Sequence, residues 1–119
     1  MKVLIVESEP NLRRIWAAHL RRSGYTVIEA DSQGSAVECL QVNQIEMIVA
    51  NLVLDGGSGL AVADYASYRH PDAKVIFVNR SGFFSDGSIF EHTANVCTMI
   101  PGRSEPEDLG AVVEHYAMH

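Results

Sequence analysis

Residues 46 to 60 read EMIVANLVLDGGSGL, and this stretch decides the fold. An apolar run, Met47 to Ala50, ends on the polar Asn51. A short loop follows with Asp55, Gly56, Gly57 and Gly59, and then a helical pattern of apolar residues begins. A strand apolar on both faces is buried on both faces, as inside a parallel sheet covered by helices. In open sheets of this kind, ligands and reacting groups gather outside the carboxyl ends of the strands. Asn51 stands at such an end and is the first candidate for a functional centre.

Working outward, the chain keeps alternating strand and helix. Val3 to Val6 is long enough for a buried strand. Ser8, Glu9 and Pro10 then read as a helix start, with a capping side chain, early negative charge and a proline in the first turn. Leu12, Ile15, Trp16, His19 and Leu20 share one helical face, and Gly24 closes the helix. His19, in or beside that apolar stripe, is expected to pack. Tyr25 to Ala30 reads as a strand, and 32–42 as a helix with Ala36, Val37, Cys39 and Leu40 inward. Met47 to Asn51 is the third strand, and Leu60 to Arg69 the third helix, stopped by Pro71. Lys74 to Asn79 and Val96 to Ile100 are the fourth and fifth strands, and Pro106 to Met118 is the final helix.

The segment 80–95 gives the weakest signals. Gly82 and Gly87 interrupt it, Phe83, Phe84, Ile89 and Phe90 are large and apolar, and a short helix is expected at about 85–93. Five strand–helix units imply an α/β architecture, a (βα)5 doubly wound parallel five-stranded sheet with helices on both faces, spanning 1–119 as a single domain.

The chain has 119 residues, 47% hydrophobic and 20% charged, enough to build a core without metal or disulfide support. A net charge of −6 argues against a nucleic-acid surface, which needs a basic patch. Arg13, Arg14, Arg21 and Arg22 recur at helical spacing and read as a solvated helix face. Cys39 and Cys97 match neither a metal knuckle nor a redox pair and read as small core residues in a reducing compartment. The opening MKVLIVESEP is too short in its apolar part for a signal peptide, and no apolar run approaches the roughly 20 residues that span a membrane. These features lead us to expect a cytoplasmic protein without membrane contact.

At this point the residues resemble the receiver domain of bacterial response regulators, the CheY-like, flavodoxin-like fold, along the whole chain. VLIVESEP stands where that family has a hydrophobic strand, an acidic pair and Glu-Pro. Asn51 stands in place of the phospho-accepting aspartate, with Gly59 eight residues on, at the family's glycine before the third helix. Asn79 stands in place of a Thr or Ser, Ile100-Pro101 in place of a lysine and a cis-proline, and Cys97 near the position of a switching aromatic.

The resemblance implies the fold but not the chemistry. An acyl phosphate needs a carboxylate, and Asn51 offers an amide. Mg²⁺ is held largely by carboxylates and phosphate oxygen, whereas the acidic pair is reduced to Glu7 and Ser8. Ile100 has no charge to pair with a phosphoryl group, and Asn79 lacks the switch hydroxyl. Close carboxylates repel by a few kcal/mol per pair at an effective dielectric near ~20, so Asn51 and Ser8 relieve the pocket of that repulsion and of its metal. Arg80 or Arg103 is expected to reach Glu7.

The expectation is therefore a degenerate pocket of Glu7, Ser8, Asn51, Asn79, Ile100 and Pro101, with no catalytic residue, metal or cofactor. Signalling or transcription control would run through protein contacts without phosphorylation. Phe83, Phe84, Phe90 and Cys97 are the candidate interface for a protein partner or a second copy, with an output domain possible if the chain is part of a longer regulator.

Rival readings attach to single features. Asp55 as a substitute acceptor, or Glu7 with Mg²⁺, would give a phosphorylatable receiver, though Asp55 before Gly56-Gly57 is well explained by turn chemistry. A small-ligand sensor could use the vacated pocket. GGSG lacks the context of a phosphate cradle. His115 and His119 share a helical spacing that can bind metal, but read better as a solvated helix end.

Overall fold

A computed structural model describes residues 1–79, 95–102 and 104–118, apart from the side chain of Cys97. The expected helix at 85–93, the aromatic residues Phe83, Phe84 and Phe90, and Arg80, Arg103 and His119 lie outside the described residues.

The elements run β1 (Lys2–Val6), α1 (Pro10–Arg22), β2 (Thr26–Ala30), α2 (Gln33–Val42) and β3 (Met47–Asn51). There follow β4 (Val53–Leu54), β5 (Gly57–Ser58), α3 (Gly59–Arg69), β6 (Lys74–Asn79), β7 (Val96–Pro101) and α4 (Pro106–Met118). Five strands pair in parallel in the order β2-β1-β3-β6-β7. The five expected strands, and the expected helices other than that at 85–93, are therefore present among the described residues, with boundaries shifted by a residue or two.

Strand alternation builds two cores. Leu4, Val6, Ile48, Ala50, Val75 and Phe77 face α2 and α3, meeting Ala36, Leu40, Val62, Ala63 and Ala66. Val3, Ile5, Met47, Val49, Ile76 and Val78 face α1 and α4, meeting Trp16, Ala17, Leu20, Leu109 and Val113. Both faces of β1, β3 and β6 are thus dry, which is why these strands read as uninterrupted apolar runs.

Several local expectations are corrected. Ile15 is 49% exposed rather than inward, because α1 presents Trp16, Ala17 and Leu20 to the sheet. Val37 is half-buried outside both cores, whereas Cys39, also half-buried, packs against the core as expected beside the fully buried Ala36 and Leu40. Burial, reinforced by Glu38, pushes the Cys39 thiol up and keeps it a packing group. His19 packs, as expected: a Cβ at Gly110 of α4 would come within 2.6 Å of its Nε2.

Arg13 and Arg21 are not simply solvated. Both pair with Glu29 of the edge strand, at 3.4 and 3.0 Å, and Arg21 also donates to the Val27 carbonyl at 2.9 Å. The loop after Asn51 contains an antiparallel hairpin of β4 and β5, turning through Asp55 and Gly56. Gly56 has φ +73°, a left-handed conformation that glycine adopts without strain.

Candidate functional site

Parity and register bring the first two site residues together. Glu7 continues the Val3, Ile5 series of β1, and Asn51 continues the Met47, Val49 series of β3, so both point to the same face. Because Val6 pairs with Ala50, the next residues of the two strands are neighbours. Glu7 is 1% exposed and Asn51 3% exposed.

The Asn51 Nδ2 donates to both carboxylate oxygens of Glu7, at 3.0 Å to Oε1 and 3.3 Å to Oε2. The Val53 N–H donates to Asn51 Oδ1 at 3.2 Å. These partners fix the amide's orientation, since a flipped amide would set oxygen against carboxylate and NH₂ against N–H. Glu7 also accepts from the Glu9 N–H at 3.4 Å, and its backbone carbonyl accepts from the Arg13 guanidinium at 2.8 Å. A buried carboxylate is tolerable when such charge-assisted bonds surround it.

Ser8 acts differently from its expected role as helix cap. Its hydroxyl donates to the Asp31 carbonyl at 2.8 Å and accepts from the Asp55 N–H at 2.9 Å. It thereby ties the loop after β1 to those after β2 and β3. Glu9 caps α1 instead, accepting from the Asn11 and Leu12 amides at 3.2 and 2.7 Å.

The other strand ends complete the edge. Asn79 ends β6 half-buried, and its carbonyl accepts from the Gly102 N–H at 3.1 Å. It pairs with Pro101, one residue beyond Ile100, which packs half-buried against the α1 and α4 core. None of the described peptide bonds is cis, that of Ile100–Pro101 included. Asp55 is an exposed turn residue, and His115 is exposed on α4.

Two contributors escaped the sequence reading. Gln33 Oε1 accepts from the Ser58 N–H at 3.1 Å, holding the hairpin to the start of α2. The Ser8 bridge joins residues 23 and 47 positions apart, a distance at which sequence spacing carries no signal.

The model of the response regulator receiver domain matches residues 3–87, more than half of the chain. The chain belongs to this family. The receiver is 29% identical over 77 residues to the response regulator receiver protein CpdR of Brucella abortus, covering 65% of this chain and 64% of that one. It spans less than two thirds of the length of the first curated relatives it matches.

A CheY-like receiver domain protein of Methanospirillum hungatei superposes with a TM-score of 0.88 at 18% identity, over 97% of this chain and 91% of that one. The response regulator TrrA of Thermotoga maritima, solved in complex with Mg(2+)-BeF, gives 0.81 at 23% identity, over 96% of both chains. These likenesses establish the fold. Among the described residues no helix is long and apolar enough to cross a membrane.

The divalent cation that this fold family implies does not fit the residues present here. Mg²⁺ requires a near-octahedral cage of oxygens and sheds water reluctantly. Of Glu7, Ser8 and Asn51 only one is a carboxylate. Asn51 turns N–H donors toward it, and the Ser8 oxygen already accepts from the Asp55 N–H. Among the described residues no three His, Cys, Asp or Glu side chains gather into a metal site.

Proposed function

We propose that this receiver acts through protein–protein contacts in two-component signalling or transcription control without being phosphorylated. The observation that carries the reading is the Asn51 amide, hydrogen-bonded to Glu7 at the end of β3. An amide at that position cannot form an acyl phosphate, and its nitrogen lone pair is delocalised into the carbonyl. Ile100 supplies no counter-charge, and Asn79 has no hydroxyl to move toward a phosphoryl group. The reading covers residues 1–119 as one cytoplasmic, non-enzymatic domain whose partner is a protein or a second copy.

The test is incubation with acetyl phosphate and Mg²⁺ followed by intact-mass measurement. The mass is expected to remain that of the unmodified chain. Addition of one phosphoryl group at any residue overturns the reading.

A further inference from the structure

We infer that the Asn51 amide does the structural work of a cation in this pocket, holding the buried Glu7 carboxylate to the loop after β3, and that the pocket takes no divalent metal. The inference rests on the same reading of the site and carries it further, from the phosphoryl group to the divalent ion.

A carboxylate that is 1% exposed requires donors or positive charge around it. Asn51 directs its NH₂ group at both Glu7 oxygens, while its Oδ1 is held from behind by the Val53 N–H. The amide thus couples the end of β1 to the first residue of β4.

Converting the site to a metal site would require several changes at once. Turning the Asn51 oxygen toward an incoming ion would break both bonds to Glu7 and the bond from Val53. Recruiting Ser8 would draw its oxygen from between Asp31 and Asp55, loosening two further loops. The ion would gain one carboxylate and two neutral oxygens in exchange, a poor match for a hard, strongly hydrated cation.

Thermal unfolding of the full chain, followed by emission of its single tryptophan, Trp16, in EDTA and in millimolar MgCl₂ tests the inference. The two melting temperatures are expected to coincide to within about 1 °C, since a ligand that does not bind the folded state gives no stabilisation. A saturable rise with Mg²⁺ overturns it.

Asn51→Ala is expected to lower the melting temperature by about 5 °C with no recovery in Mg²⁺. An unchanged value overturns the role given to the amide. Hydrogen exchange at the Val53 amide of the native chain provides a reading that needs no variant. Equal protection in EDTA and in Mg²⁺ supports the inference, and protection gained only with Mg²⁺ overturns it. Mg²⁺ binding without a mass change defeats this inference alone, whereas a phosphoryl adduct defeats the proposed function.

Discussion

Asn51→Asp lowers the stability of this receiver by roughly 3 kcal/mol at neutral pH, and acid restores part of the loss. The substitution is isosteric, so packing is unchanged and the effect is electrostatic. It replaces two donors facing Glu7, at 3.0 and 3.3 Å, by a second carboxylate. Two unit charges 3 Å apart at an effective dielectric of 20 repel by about 5 kcal/mol, which side-chain relaxation and water reduce. Loss of hydrogen bonds to a charged group acts in the same direction.

The pair would respond by sharing a proton in the folded state that separate carboxyls in the unfolded chain have already released at neutral pH. The folded variant then binds more protons than the unfolded one, so its stability falls as pH rises and recovers as pH drops toward the ordinary carboxylate range. Urea unfolding of both proteins between mildly acidic and neutral pH reads this directly. Equal stability at neutral pH, or a difference that does not narrow in acid, would sink the account.

That prediction concerns a contact that was half legible in the sequence. The fold could be read because β1, β3 and β6 are buried on both faces, so their sequences are solidly apolar and their ends are marked by the polar Glu7, Asn51 and Asn79. Once the sheet is parallel, equal offsets from the paired strands set Glu7 beside Asn51. Finer features were set by tertiary contacts instead. Ser8 has the composition of a helix cap, yet its hydroxyl meets Asp31 and Asp55 across the sheet edge, and Glu9 takes over the cap. The turn at Asp55-Gly56 was recognisable, but the hairpin around it depends on Gln33, twenty-five residues upstream of Ser58. Ile15 fits an apolar stripe at helical spacing, yet the packed side of α1 centres on Trp16, Ala17 and Leu20 and leaves Ile15 exposed, a choice that spacing alone does not make.

Gly59→Ala has the second large expected effect, a loss of about 3 kcal/mol, and its cause is backbone crowding rather than charge. Gly59 begins α3 directly beneath the end of β3, and its N–H donates to the Leu52 carbonyl at 3.0 Å. A methyl there would fall on the Asn51 carbonyl oxygen, with the Leu52 Cα 3.3 Å away. Both obstacles are main chain of the buried residues Asn51 and Leu52, so no side chain can turn aside. Relief requires α3 to move outward, away from the core that Val62, Ala63 and Ala66 fill, or Asn51 to move off Glu7. Gly34→Ala in α2 provides the control. A Cβ there meets nothing closer than 4.0 Å, so the variant should gain about 0.5 kcal/mol from helix propensity and a less flexible unfolded chain. Denaturant melts of the two variants should therefore move in opposite directions. If Gly59→Ala unfolds at the same midpoint as the native chain, the close approach of α3 to the Asn51 backbone is not what sets the geometry of the pocket.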